Sequence, residues 1–319
     1  MLATKDALCK LGSKPPFRTF PIAMASSLSL VMRSKNDGPL IGATLRGVYD
    51  QDLPGAVEVI HIDSGSTDQT VEIIQSTRPH KLIQIQPQEY IPGVVLNRGM
   101  RESSSPWVVF LNSDAEPANR HWLSALMAAA LSQEKVGTAF SRQIPRPDCR
   151  AVFAHDYDRC FGPARDSVNW DHFFSMVSCV VNRRAWEEQP FREDLQYAED
   201  DEWSRRLKAH GWKIVFAENS IAIHSHNYTL QQAYRRCYGD SFALAATKPE
   251  ARPKWSGWFY GIVPGTIRDA QRDLSWCRSN GRLAEWPYAA AIRLAQRIGK
   301  TVGFRKGWKH YHAAQRPFS

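Results

Sequence analysis

The stretch "FLNSDAEP", residues 110 to 117, runs from apolar residues directly into Asn112, Ser113, Asp114 and Glu116, with Pro117 ending any continuation. Asn, Ser and Asp are turn formers, so a turn after a buried strand accounts for them. A second reading is a cation site, because hard divalent metals take closely spaced oxygen ligands. Three further stretches bear on that choice. Asp63 heads "DSGSTD" after a β-branched run, and Arg33, Lys35 and Asn36 follow an apolar run near residue 30. "YAEDDEW" sets four consecutive acids, Glu199 to Glu202, between Tyr197 and Trp203. Acids suit a helix N-terminus, but aromatic flanks predict a partly desolvated carboxylate, a better proton acceptor near neutral pH. "HSHN" places His224 and His226 two apart, on one side of an extended segment, where imidazoles can meet metal or phosphate.

These groups need a frame. Strand signals at Ser27–Met32, Val57–Asp63, "KLIQI" and "WVVFL" alternate with helical patterns at "LIGATLRGVYDQ", "VVLNRGMRES" and "WLSALMAAAL". Such βαβα alternation predicts an α/β fold, a mostly parallel sheet with helices on its flanks. In such sheets ligands sit outside the carboxyl ends of the strands, and the clusters after residues 32, 62 and 111 all fall there. Ser66 and Gln69 have capping-box spacing and predict a helix start between them. Residues 141 to 172 read as a loop with one short helix. "FSMVSCVVN" reads as a strand, "EDDEWSRRLKAHGW" as a helix stopped by Gly211, "KIVFA" and "IAIHSH" as two strands, and "LQQAYRRCYGDSFALAA" as a helix.

Composition narrows the class. The 319 residues, 43% hydrophobic and 23% charged, suit a folded chain with a sizeable core. No apolar run reaches membrane-spanning length. Six scattered cysteines without a C-x-x-C pair exclude a zinc ribbon and a disulfide scaffold, which predicts a reducing, cytoplasmic setting. The net charge of +9 is uneven: residues 251 to 319 hold 13 Lys and Arg against 3 Asp and Glu. A helix predicted from Pro287 puts Tyr288, Ala291, Ile292, Leu294, Ala295, Ile298 and Val302 on one side and Arg293, Arg297 and Lys300 opposite. Docking on the main domain and binding to an anionic membrane surface both fit such a helix. Nucleic acid is not expected as a partner, because no recognised module is present and the first 250 residues are nearly neutral. The expected division is an N-terminal extension over 1–26, a catalytic domain over 27–248 and a basic helical extension over 249–319.

"IDSGSTDQT", "FLNSDAEP", "AEDDEW" and "HSHN" occur in the order and spacing of bacterial family 2 glycosyltransferases, and "RQIPRPD" and "HSHNYTLQQAYRR" most resemble the rhamnosyltransferase-like branch. The resemblance covers about residues 27 to 245. It implies the GT-A fold and inverting transfer of a sugar from a nucleotide-diphosphate donor to a glycan or lipid-linked acceptor in cell-surface glycan assembly, with Mg2+ or Mn2+ as cofactor. It assigns Asp200 as general base with Glu199 its neighbour. Arg33, Asn36, Asp63, Asn97 and Ser113 fall to the nucleotide, and Arg235 and Arg236 to the diphosphate. Asp114 and His224 fall to the metal, with Glu116 standing in for the carboxylate that Asn112 lacks at the first position of the D-x-D motif. Ser64, where the family often has Asp, leaves the nucleotide base open. The Asn112 departure also supports an alternative, a non-catalytic nucleotide-sugar-binding partner recruited to the membrane.

Overall fold

Apolar residues alternate along the central strand so that both of its faces are buried. In strand β1 (Leu28–Ser34) Leu28, Leu30 and Met32 join one hydrophobic cluster while Val31 joins another. A strand covered on both faces reads as a nearly continuous apolar run. The computed structural model describes residues 28–53, 57–170, 172–247, 253 and 261–312. The expectations for residues 1–26 and for a boundary after residue 248 lie outside them.

The remaining strands are β2 (Val57–Asp63), β3 (Lys81–Gln84), β4 (Trp107–Asn112), β5 (Glu116–Pro117), β6 (Val136–Ile144), β7 (Ser178–Asn182) and β8 (Lys213–Ile223). They form one sheet in the order β3-β2-β1-β4-β7-β6-β8-β5. The β3-β2-β1-β4 half is parallel, as expected. β7 then runs antiparallel to both β4 and β6, and β5 antiparallel to β8, which makes the sheet mixed. Register brings Arg33 opposite Asn112 and Ser34 opposite Asp63, so the carboxyl ends of β1, β2 and β4 finish level.

Helices α1 (Gly38–Tyr49) and α4 (Trp122–Ala130) cover one face through Ile41, Leu45, Trp122 and Leu126. Helices α3 (Pro92–Glu102) and α7 (Glu199–Ala209) cover the other through Leu96, Met100, Trp203 and Leu207. Gly211, at φ 78°, sits just past the end of α7, the left-handed conformation that a helix stop favours. Helix α2 (Thr70–Ser76) begins four residues after Ser66, whose hydroxyl is engaged elsewhere. The region 141–172 is more ordered than its composition predicts: it holds the end of β6, helix α5 (Ala151–Phe161) and a 3-10 turn at Asp166–Asn169. β6 escaped notice because Ser141 and Gln143 are polar yet buried, each hydrogen-bonded inside the fold. "KIVFA" and "IAIHSH" supply one continuous strand, β8, with a register shift against β6 between Ser141 and Arg142. A short helix α6 (Arg183–Glu188) follows β7.

The chain closes with α8 (Leu230–Thr247), α9 (Val263–Ser279) and α10 (Trp286–His312). The faces expected for α10 are turned. Arg293 is 5% exposed rather than solvated, while Leu294 is 43% exposed. Arg293 donates to Asp273 of α9 (2.7 Å) and Asp156 of α5 (2.8 Å), and Asp273 also meets His155 at 2.6 Å. Ala289 and Ile292 pack with Val152 and Phe153 of α5 and Ala233 of α8. Part of the apolar side of α10 is thus spent on the fold. Along its length Gly299, Gly303 and Gly307 lie against the backbone of α8. A Cβ at these positions would come within 2.5, 2.2 and 2.2 Å of the carbonyl oxygens of Tyr234, Tyr238 and Phe242. Among the described residues no helix is long and apolar enough to cross a membrane, and the five described cysteines are free.

Candidate active site

The level ends of β1, β2 and β4 are tied together by short polar links. Arg33 Nη2 donates to Asn112 Oδ1 at 2.8 Å, and Arg33 Nη1 lies 3.9 Å from Glu199 Oε1. An amide at position 112 therefore has a definite partner, a guanidinium from the next strand. Ser113 Oγ donates to Asp37, and Asn36, held at φ 55°, accepts from Thr67 N at 2.8 Å. Asn tolerates that left-handed backbone better than other non-glycine residues. Asp63 is fully buried. Its carboxylate accepts from Ser34 Oγ (3.0 Å), Gly65 N (3.1 Å), Ser66 N (2.9 Å) and Ser66 Oγ (2.5 Å). All four of these bonds are made within the fold, so the carboxylate holds the loop after β2.

Against these strand ends lies a cleft of about 430 Å³, lined by Arg33, Asn112, Glu199, Asp200, Arg236 and Asp240 among others. Asp200 begins the first turn of α7 beside Glu199. Burial and the Glu199 charge push its pKa up to about 7. Such a carboxyl exchanges a proton with a hydroxyl near neutral pH, which an ordinary aspartate does poorly. Burial works against the Arg236 cation, but the charges of Asp240, Asp200 and Glu199 more than offset this. Burial likewise raises Asp240, which accepts from Arg236 Nε at 3.4 Å.

Two residues beyond Asn112, Asp114 meets both histidines of "HSHN". Its Oδ2 lies 3.5 Å from His224 Nε2 and 3.3 Å from His226 Nε2, and the candidate ligand atoms of the three residues all fall within 4.8 Å of one another. Burial would raise the Asp114 pKa, but the hydrogen bond from His224 and the neighbouring cationic groups hold it at about 2. Burial and His224 lower His226 to about 4. A carboxylate that stays ionised beside an imidazole that gives up its proton readily suits a metal, whose binding displaces such protons. His224 Nδ1 faces Gln143 Oε1 at 3.0 Å and Tyr157 Oη at 2.9 Å, which leaves Nε2 toward Asp114. Gln143 is itself oriented by donating to Ser175 Oγ at 2.8 Å. A buried partner on the far nitrogen is the usual outer support of a metal-binding histidine. The three side chains therefore suit a divalent cation.

The expected residues do not all converge. Glu116 lies in β5 opposite Ile223 and is not in the Asp114–His224–His226 group. His226 takes the third place instead. Asn97 is buried and saturated. Its Oδ1 accepts from Trp186 Nε1 and Phe191 N, and its Nδ2 donates to Phe191 O and Glu193 Oε1, so it ties α3 to the segment before α7 and has nothing left for a nucleotide. Arg235 and Arg236 diverge because neighbours on a helix point about 100° apart: Arg236 lines the cleft and Arg235 an adjoining groove. Gln143, Tyr157 and Asp240 were not singled out by sequence. Gln143 and Tyr157 lie in the region read as a loop, and Asp240 inside a helix that read as structural.

The chain belongs to glycosyl transferase family 2, whose family profile matches residues 29–191. It is a glycosyltransferase with an α/β fold of the GT-A type, and it is similar to bacterial O-antigen chain rhamnosyltransferases. It is 28% identical over 268 residues to the O-antigen chain rhamnosyltransferase WbaN of Salmonella anatum, covering 80% of this chain and 81% of the relative. It is 24% identical over 300 residues to RfbN of Salmonella typhimurium, an enzyme of the same description, covering 90% of each. In fold it resembles the mannosyltransferase PcManGT of Pyrobaculum calidifontis, solved with GDP-Man and Mn2+ (TM-score 0.59, 19% identity, 90% of each chain). It also resembles S. aureus TarS, solved with UDP-GlcNAc (TM-score 0.51, 14% identity, 90% of this chain and 92% of that one).

Proposed function

We propose that this protein is an inverting glycosyltransferase that moves a sugar from a nucleotide-diphosphate donor to a hydroxyl of a glycan or lipid-linked acceptor in bacterial cell-surface glycan assembly. The observation that carries this reading is Asp200, a carboxyl with its pKa near 7 set in one cleft with Arg33 and Arg236. Asp200 takes the proton of the acceptor hydroxyl. The acceptor oxygen bonds to the anomeric carbon as the bond from that carbon to the diphosphate oxygen breaks, and the leaving group departs with the electron pair. One base acting on one face gives inversion. Arg236 lies where it can offset the charge on the departing diphosphate. A divalent cation held by Asp114, His224 and His226 would supply further positive charge to that leaving group. Two imidazoles beside one carboxylate favour Mn2+ over Mg2+, which takes oxygen almost exclusively. The O-antigen relatives support the surface-glycan setting, and the sugar-nucleotide complexes of fold relatives support the donor class.

The test is a panel of GDP-, UDP- and dTDP-sugars followed by thermal shift and by release of nucleoside diphosphate, with and without Mn2+ or Mg2+. The reading expects at least one donor to bind more tightly with metal and to be turned over. A retained anomeric configuration in the product, read by NMR, would remove the single-base mechanism. Donor binding without any turnover across acceptors would favour the non-catalytic alternative.

A further inference from the structure

A second concavity adjoins the catalytic cleft. It measures about 590 Å³, and its walls are largely aromatic: Tyr197, Tyr234, Tyr238, Phe242 and Tyr311. Gln196 and Tyr197 belong to both concavities. The Tyr197 ring sits against Gly239 of α8, where a Cβ would come within 2.6 Å of the ring, so the ridge between the two spaces is one aromatic side chain on bare backbone. Asp200 is three residues beyond it. Anything that lies in this groove and passes over Tyr197 arrives at the proposed base.

The groove floor has a repeat. Tyr234, Tyr238 and Phe242 are spaced four apart on α8, with ring centroids 6.1 Å and then 6.0 Å apart and planes tilted by 32° and 27°. Behind each ring's backbone stands one glycine of α10, namely Gly299, Gly303 and Gly307. The contact is too close for any larger residue, so α10 fixes the α8 backbone that presents the three rings. None of the three rings is fully buried. Arg235, Lys306, Asp194 and Gln196 stand with them, and Lys306 Nζ is 5.9 Å from the Tyr238 ring.

We propose that this groove is the acceptor subsite and that its occupant is a pyranose unit of the acceptor glycan. The inference rests on the glycosyltransferase mechanism proposed above, because it gives the groove its relation to Asp200. Pyranose rings have apolar C–H faces and a rim of hydroxyls. The half-open aromatic faces match the first, and the polar side chains among them match the second. A purely aliphatic ligand would leave Arg235, Lys306 and Gln196 facing a group that cannot bond to them. Continuity with the catalytic cleft through Tyr197 distinguishes the groove from an ordinary surface hollow.

Saturation-transfer NMR on the full chain tests this, with methyl glycosides of the common hexopyranoses and 6-deoxyhexopyranoses as probes. At least one glycoside is expected to receive saturation on its ring C–H protons. Tyr238→Ala should weaken its binding by about tenfold, the scale of one lost ring contact. Tyr238→Phe should keep it. Thermal unfolding checks that each variant is folded; if Tyr238→Ala is not, Tyr234→Ala carries the comparison. Absence of saturation with every glycoside, or equal binding by wild type and the folded alanine variants, overturns the assignment. Nucleoside diphosphate binding is read separately by calorimetry. If glycosides bind in the groove and no nucleotide binds at all, the groove stands and the donor reading falls.

Discussion

Glu199 and Asp200 are adjacent carboxylates on the first turn of α7 with different surroundings: Arg33 lies 3.9 Å from Glu199, while burial and the Glu199 charge push the Asp200 pKa up to about 7. The burial and the Glu199 charge that raise Asp200 also oppose folding whenever it is ionised. A carboxyl whose folded pKa exceeds its unfolded value removes stability progressively as pH rises from its ordinary value near 3.8 through 7. Activity runs the other way, since the base must be ionised. The rate should fall on the acid side with an apparent pKa near 7. Removing the neighbouring charge with Glu199→Gln should move that limb to lower pH. A pH profile of kcat/KM for the two proteins checks this, and an unmoved limb would show that Glu199 does not set the ionisation.

Asp200→Asn should reduce kcat by roughly 10²- to 10⁴-fold, the range for loss of a positioned base. Donor affinity should stay within a few-fold, because the change is isosteric. Single-turnover kinetics beside a donor titration separates the two effects. Wild-type turnover in this variant would take the base role from Asp200.

Asp114→Ala and His226→Ala should each abolish the metal-dependent part of donor binding. Gln143→Leu tests the outer support of His224. With Nδ1 no longer facing the amide oxygen, Mn2+ affinity should drop by roughly 10- to 100-fold. Calorimetric titration with Mn2+ alone reads this without any turnover. A Gln143→Leu protein that binds Mn2+ like wild type would show that the 3.0 Å contact does not orient the histidine.

Arg293→Ala should destabilise the chain by roughly 3 to 5 kcal/mol, because Asp273 would remain buried without its cation. Urea unfolding measures it. The Asp273 pKa is lowered: burial would raise it, but its bonds from Arg293 and His155 prevail. A depressed carboxylate stabilises the fold above its unfolded value, and that contribution is lost as pH falls through the folded one. Wild type should therefore lose stability in acid by more than Arg293→Ala does.

The catalytic half was legible because its chemistry sits at strand ends in short, distinctive runs. Asp63, Asn112 and Asp114 each follow an apolar strand, and the parallel half of the sheet follows from that alternation. Three things were hidden. The saturation of Asn97 depends on partners some 90 residues away, Trp186 and Phe191, which no local pattern shows. Glu116 was expected as a stand-in for the missing first carboxylate, but it pairs with Ile223 in β5, and the third residue beside Asp114 and His224 is His226. The orientation of α10 was misread because periodicity counts Arg293 as a surface residue, whereas two acids from α5 and α9 make it a core one.

The Arg293 network also has a consequence for biosynthesis. Asp156 precedes Arg293 by 137 residues, and Asp273 precedes it by 20. On a ribosome, the catalytic sheet emerges complete while those two acids still await their counterion, and the aromatic face of α8 still lacks its glycine backing. Helix α10, which follows both acids in the chain, is therefore the one that neutralises the first acid of the pair and fixes the floor of the neighbouring groove. A chain that stopped before Arg293 would have its strand-end carboxylates in place and its acid pair unmatched.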